Sequence, residues 1–466
     1  MDFGTEDPLA EHLRQGEFSI LMEVDTPPRT QPFKSAVAIG EAVARQCRNW
    51  DCVTGLSVTD RLTCEDAHDP VDTAKAVGEA GGKPILMHIS GKGSDTKRVR
   101  DLLARASSPG IRNVLAVTGD RSDKHPRRRG FGRFPHHPAG YLDSVDIVKT
   151  AAKGEPAFHV GGAINPFKYN PADQYLQFYK LLRKLACGAE FVMTQTGWDM
   201  KKLQELQWFL QMREVDVPVI ARLALLSPDD IHRLHEGIVP GVMVSREFCA
   251  MLQRESAVNE EQSLAGQLRR IALQVTGCRL LGYSGVQISR IRDEQTAKKV
   301  LSSIDAAMQD ITSYGDWVAA WKDFHSDVNF APIHEPYYVF ANLLTPELQW
   351  YNAEQALLTE QAFPGPQWSD RVRSRLLGIF LADTMPAPVR RGARSLVCRK
   401  CREESCGLER CFYLCPYACP KGLSYGACGG TAPDGTCEFG HATCFFHRVL
   451  AVAAQRHASD RLEEAL

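Results

Sequence analysis

Between residues 17 and 292 the chain repeats one unit: a short β-branched run, a loop, then a stretch with apolar residues three and four apart. The runs are FSILMEV (18–24), VTGLSVT (53–59), PILMHIS (84–90), NVLAVT (113–118), AFHVGGA (157–163), EFVMTQ (190–195), VPVIARL (217–223) and GVQIS (285–289). Tyr175, Phe178, Tyr179, Leu182 and Leu185 show the helical spacing between them. The runs are mostly apolar on both faces, as a parallel sheet covered by helices requires. Eight such units predict an α/β protein with a (β/α)8 TIM barrel, whose usual size is about 250 residues. A doubly wound open sheet is the alternative, and the barrel is favoured because no Gly-rich dinucleotide turn follows the first run. A further strand-like run, IVPGVMVS (238–245), lies between the seventh and eighth.

A chain of 466 residues exceeds one such domain. The pattern divides it into an N-terminal extension (1–16), the barrel (17–295), a helical connector (296–379) and a small cysteine-rich domain (380–466). Lys and Arg number 55 against 56 Asp and Glu, so no global field attracts nucleic acid or an anionic membrane. No apolar run reaches the ~18 residues of a membrane span. The start, MDFGTEDPLAEHLRQGEF, is acidic and polar, unlike a signal peptide. A cytoplasmic protein is expected.

Active sites of such barrels lie at the C-terminal ends of the strands. Polar groups stand there in six of the eight units: Glu23; Thr59 and Asp60; His88; Thr118-Gly119-Asp120; Asn165 after Ala163-Ile164; and Thr194-Gln195. Each alone reads as an ordinary loop, cap or rim residue. Together they would converge on one mouth. The segment RSDKHPRRRGFGRFPHHP after Asp120 carries Arg121, Lys124, Arg127, Arg128, Arg129 and Arg133. It reads as a solvated basic loop or as a clamp for a diphosphate or polycarboxylate tail.

Nine of the fifteen cysteines fall in the tail: Cys398, Cys401, Cys406, Cys411, Cys415, Cys419, Cys428, Cys437 and Cys444. In a reducing compartment such clustering points to metal ligation rather than disulfides. Thiolates suit zinc or an iron–sulfur cluster such as [4Fe-4S]. So short a segment cannot bury much core, so metal ligation is expected to help fold it.

The motifs FSILMEVDTPPR, LSVT, LMHIS, NVLAVTGD, LLRKLACGAEFVMTQTGWD and GVQIS, in this order, resemble methylenetetrahydrofolate reductases of the bacterial type. The resemblance implies a flavin, FAD or FMN, in the barrel mouth and a tetrahydrofolate-type substrate. Hydride would pass between flavin N5 and the folate's bridging carbon. Glu23 matches the acid that protonates folate N10, a role requiring a raised pKa in a dry pocket. Asp120 matches the second catalytic position, which holds the pterin and faces the flavin, and Gln195 the pterin-binding glutamine. Thr59, His88, Gly119, Asn165 and Lys184 match flavin-contacting positions. The chain departs from the family in carrying one extra residue between Glu23 and Pro27-Pro28. It also has Thr118 for an arginine and Ile164-Asn165-Pro166-Phe167 where an aromatic–Pro–Glu turn is usual, and Arg290 stands near the family's last arginine.

The run CPYACPKGLSYGACGG…DGTCE resembles a cysteine-rich partner subunit, or fused C-terminal domain, of some of these reductases. The expected activity is the interconversion of 5,10-methylene- and 5-methyltetrahydrofolate, with NAD(P)H, ferredoxin or a partner protein as donor. The same barrel running oxidatively in methyl-group catabolism is an alternative. So is a folate-binding module for methyl transfer or electron-transfer assembly. A homo-oligomer is compatible with all three.

Overall fold

A computed structural model describes residues 7–60, 66–121, 141–236, 239, 241–326, 328–346, 363, 365–382, 384–397, 407–440 and 442–465. The strands β1 (Ser19–Val24), β2 (Val53–Val58), β3 (Ile85–Ser90), β4 (Asn113–Val117), β5 (His159–Ile164), β6 (Phe191–Thr194), β7 (Val219–Ala224) and β8 (Gly285–Ser289) close in sequence order into a barrel. All pairs are parallel, and β1 seals onto β8 in the register Leu21↔Gln287. The chain is therefore a (β/α)8 barrel with a C-terminal domain. Residues 241–245 of the further run form no strand; Gly241 sits at φ 71°, a turn conformation.

The barrel helices are α2 (Phe33–Cys47), α3 (Pro70–Gly81), α4 (Thr96–Ser107), α5 (Ser144–Ala152), α6 (Pro171–Ala186), α7 (Met200–Met212), α8 (Pro228–His235), α9 (Arg246–Val258) and α10 (Glu260–Leu280). Most open on an Asp, Asn or Ser cap. Asp69 accepts from Val71 N, Asn170 from Asp173 N and Asp199 from Lys201 N, satisfying amides a helix start leaves free. The strands' outward residues, such as Ile20, Met22 and Val24, pack beneath these helices. Their inward residues behave differently at the two ends. At the N-terminal end Leu21, Leu86, Leu115, Phe191, Met193 and Ile220 fill the interior. Leu9 and Leu13 of α1 (Pro8–Arg14) join them from the N-terminal extension.

The connector is packed rather than extended. Helices α11 (Glu294–Asp310) and α12 (Tyr314–His325) bury Leu301, Ile304 and Trp317 in the main core, and Trp317 Nε1 donates to Leu273 O at 2.8 Å. Val339, Phe340, Leu343 and Leu344 join the same core. The fully buried Lys202 of α7 holds this strap. It bonds Glu205 Oε1 at 2.8 Å and Tyr337 O at 2.8 Å, and Glu205 accepts from Val339 N.

The C-terminal domain contains α13 (Trp368–Phe380), α14 (Ala387–Val397) and α15 (Phe445–Gln455). Its core is apolar: Phe412, Leu414, Leu423, Phe445, Phe446, Val449 and Leu450 pack with Ala172 and Leu176 of α6. The tail thus buries a core, contrary to the expectation from its length, because it borrows one face of a barrel helix. Arg448 pairs twice with Asp370, at 2.8 and 2.6 Å, and joins α15 to α13. Among the described residues no helix is long and apolar enough to cross a membrane.

Gly161 on β5 leaves room for the Phe191 ring in the barrel interior, since a Cβ there would overlap the ring. Gly161→Ala is expected to cost about 1–3 kcal/mol of stability through overpacking, measured by urea unfolding. An unchanged midpoint would show that Phe191 does not need this gap.

Candidate active site

Side chains alternate along a strand, so two residues beyond the apolar plug the same inward face becomes polar. Leu21 is followed by Glu23, Ile220 by Arg222, and the residue paired with Leu21 across the seam is Gln287. Arg222 and Gln287 are themselves register partners. Arg222 Nη2 donates to Glu23 Oε1 at 2.7 Å, and Gln287 Nε2 donates to Glu23 Oε2. Glu23 is thus a buried hydrogen-bond acceptor in the barrel's centre. Arg222 Nε and Gln287 Oε1 have no partner among the described residues. Asp25, two residues on, has its carboxyl pushed up by burial and by the neighbouring charge of Glu23.

Above this layer lies a cavity of about 160 Å³. Thr59, His88, Gly119, Asp120, Asn165, Lys184 and Gln195 all line it, as does Arg222. A second space of about 80 Å³ adjoins it through Asp120, Gln195 and Arg222 and reaches Trp198 and Arg290. Seven of the eight barrel residues to which the resemblance gives a role therefore line one mouth, and the eighth, Glu23, lies behind Arg222.

Their individual roles differ. Thr59 knits two loops, donating to Asp25 Oδ1 at 3.2 Å and accepting from Thr26 N at 3.2 Å. His88 meets Ser57 Oγ at 2.8 Å, and burial, aided by Arg222, pushes its pKa down to about 3, so the ring is neutral. Lys184 bonds Ala163 O, and burial, with Lys180 nearby, brings its ammonium down to about 7. Gln195 accepts from Thr196 N at 2.9 Å through Oε1. Asn165 spends its amide on two carbonyls, Gly241 O and Gly429 O, each at 2.8 Å. Burial pushes the Asp120 carboxyl up, opposed by Lys421 and reinforced by Glu438.

Those last two residues belong to the C-terminal domain. Lys421, Cys428, Gly429, Gly430 and Glu438 line the same cavity as the barrel residues. Lys421 Nζ bonds Gly119 O at 2.7 Å and Glu438 Oε1 at 2.5 Å. Cys428 Sγ donates to Glu438 Oε1 at 3.2 Å. Cys419, Cys428, Cys437 and Cys444 also line a second, much smaller cavity of about 20 Å³ inside the tail. Cys428 thus borders both spaces.

Cys411 and Cys415 stand apart from that four-thiol lining; Cys411 donates to Ser424 O at 3.6 Å. Cys398, Cys401 and Cys406 lie outside the described residues, as does the basic run from 122 to 133. Arg121, at its start, sits over the Phe439 ring at 5.9 Å. Among the described residues no group of three or more His, Cys, Asp or Glu side chains converges as a finished metal site.

Reading strand ends in six units left the seventh and eighth unread, and these supply Arg222 and Gln287. The signal was present: a charged residue inside VIARL and an amide inside GVQIS, each on the register of an inward face. Asp25 shares the face of Glu23. No comparable local pattern marks Lys421 and Glu438.

A family model described as methylenetetrahydrofolate reductase matches residues 8–303, and one described as methylene-tetrahydrofolate reductase C terminal matches residues 383–466. Methylenetetrahydrofolate reductase 1 of Schizosaccharomyces pombe is 26% identical over 203 residues, covering 43% of this chain and 32% of that protein. The match thus spans about a third of that relative's length. Two solved structures are more distant. An uncharacterized protein from Clostridium thermocellum that binds two copies of 5-methyl-5,6,7,8-tetrahydrofolic acid is 15% identical, with a TM-score of 0.47 over 64% of this chain and 99% of its own. A dihydropteroate synthase from Coxiella burnetii, in complex with pteroic acid, is 12% identical, with a TM-score of 0.35 over 63% and 93%. At these TM-scores nothing carries over from them to the site. The family match covers more than half of the sequence, and the chain belongs to the methylenetetrahydrofolate reductase family.

Proposed function

We propose that the chain is a flavin-dependent reductase that interconverts 5,10-methylene- and 5-methyltetrahydrofolate. The observation that supports this most is the gathering of Thr59, His88, Asp120, Lys184 and Gln195 around one cavity, with Glu23 just behind on Arg222. Arg222 lines the cavity and its Nε has no partner among the described residues, which suits the acceptor edge of a heteroaromatic ligand. A flavin bound here would supply hydride chemistry at N5.

The chain's own residues do the rest. Gln195 and Asp120 offer amide and carboxyl groups to a pterin edge. Neutral His88 and Thr59 offer hydrogen bonds without adding charge. Lys184 faces an anionic edge or phosphate as a cation below a pH of about 7. We read Glu23, just behind the cavity on Arg222, as the group that gives a proton to folate N10. In the arrangement seen it is a carboxylate that accepts from Arg222 and Gln287, so it must part from Arg222 and take up a proton from solvent before it can pass one to N10. Barrel walls and the tail's roof exclude water around that transfer.

Glu23→Gln should retain bound flavin and its reduction by dithionite. It should lower the folate half-reaction by roughly 10²–10⁴-fold, the usual worth of a general acid. Stopped-flow absorbance of the flavin reads both steps. A purified protein that never takes up flavin would remove the reading, and an unslowed Glu23→Gln variant would remove the role of Glu23.

We infer further that the tail thiols take a soft metal, zinc or an iron–sulfur cluster. Four of them surround one small space, and their donor chemistry suits either. Burial pushes the thiols of Cys419, Cys428, Cys437 and Cys444 up, a penalty that a bound cation reverses. The described thiols are not converged on a common point, so no catalytic step is assigned to the metal. Anaerobic purification with iron, sulfide and zinc quantified should find metal that is lost in Cys419→Ser/Cys444→Ser. Metal-free protein with a folded tail would contradict this.

A further inference from the structure

The tail does more than cover the barrel. Lys421 and Glu438 stand 302 and 415 residues after Gly119 and Glu23 in no simple repeat, yet both line the mouth cavity.

 The side chains of both are almost fully enclosed, at 3% and 5% exposure. Lys421 Nζ holds Glu438 Oε1 on one side and the carbonyl of Gly119 on the other. Gly119 is the left-handed residue (φ 83°) of the Thr118-Gly119-Asp120 turn, so this bond fixes the turn that presents Asp120. Glu438 Oε1 is shared by Lys421 and Cys428 Sγ, whereas Oε2 is buried with no partner among the described residues.

A buried carboxylate oxygen without a donor is costly, and such atoms in a native protein call for a missing partner. Here that oxygen belongs to a residue that lines both the mouth cavity and the small thiol-lined space of the tail, and in the mouth it stands among Asp120, Gln195 and Asn165. The tail cation beside it, Lys421, is already committed to Oε1.

We propose that Glu438 and Lys421 are working parts of the barrel's ligand site, so that the site is incomplete without the C-terminal domain. Glu438 Oε2 accepts an N–H from the bound heterocycle, and Lys421 is a positioning residue that sets Asp120 through Gly119. The ligand class is a fused ring with an amide or amidine N–H edge, which a flavin and a pterin share. This rests on the folate reductase reading above and adds two residues to it.

The test uses the full-length protein and two probes, FAD and 5-methyltetrahydrofolate, titrated separately by calorimetry. Glu438→Gln should weaken one of them roughly ten- to hundredfold, as loss of a buried charge-assisted hydrogen bond does. The probe that weakens identifies which ring Glu438 holds. Glu438→Asp keeps the charge that Lys421 needs but withdraws the oxygen from the cavity. It should fold if Glu438→Gln does not, and should show the same selective weakening. Lys421→Met should impair both the affinity for 5-methyltetrahydrofolate and the folate half-reaction, with Lys421→Arg restoring part of each, a rescue that a purely structural lysine would not give. Wild-type affinities for both probes in a folded Glu438 variant would overturn the proposal and leave the reductase reading intact. A wild-type protein that binds neither probe would overturn both.

Discussion

Three buried cations on and before α6 tie this molecule together. Lys168 bonds Thr431 O at 2.9 Å, Lys180 bonds Gly426 O at 3.1 Å, and Arg183 bonds Tyr425 O, Arg461 O and Glu464 O at 2.6–2.9 Å. Removing a cation from water is expensive unless hydrogen bonds replace its hydration. Here backbone carbonyls of the tail do so, with Asp143 beside Lys180 at 3.0 Å. The segment 425–431 is therefore strung along the barrel by these buried cations. The apolar contacts of Ala172 and Leu176 with the tail's core act on the same helix. Barrel and tail are one packed unit, and the cavity at the mouth is a product of both.

That docking explains why the mouth is polar on two sides. From below, the register of β1, β7 and β8 brings Glu23, Arg222 and Gln287 into one layer. From above, the tail lowers Lys421, Cys428 and Glu438 onto the Thr118-Gly119-Asp120 turn. Asp120 then lies between opposing influences, raised by burial and by Glu438 and lowered by Lys421. Asn165, whose place in the family pattern suggests a cofactor contact, borders the cavity and also clasps the tail at Gly429. Cys428 faces both the mouth and the thiol-lined space, so whatever occupies the second is one side chain away from the first.

The barrel was legible because its information is local. Short β-branched runs, apolar on both faces, with helical stretches between them state both the strands and their covering, and all eight runs form strands within a residue or two of the ends read from sequence. Polar residues at strand ends were legible for the same reason: Asp120 and Gln195 line one mouth, with Glu23 behind Arg222. Arg222 and Gln287 were open to the same reasoning but sit in strands that look like plain core. The tail's role was not legible. Lys180 and Arg183 fall on a helix whose charges look solvated until something buries them, and Lys421 meets Gly119 from 302 positions away. The further run at 238–245 stands outside the eight strands, and its residues 241–245 form none: a β-branched composition does not supply a partner edge, and in a closed barrel none is free.

Hydrogen–deuterium exchange of the full-length protein, with and without FAD and 5-methyltetrahydrofolate, tests most directly whether barrel and tail make one site. Amides slow their exchange where binding suppresses local opening. The account predicts that ligand protects the strand-end turns at 118–121 and 194–196 together with tail residues 426–438, at the same ligand concentration. Protection confined to the barrel turns, with the tail exchanging as in the free protein, would contradict it.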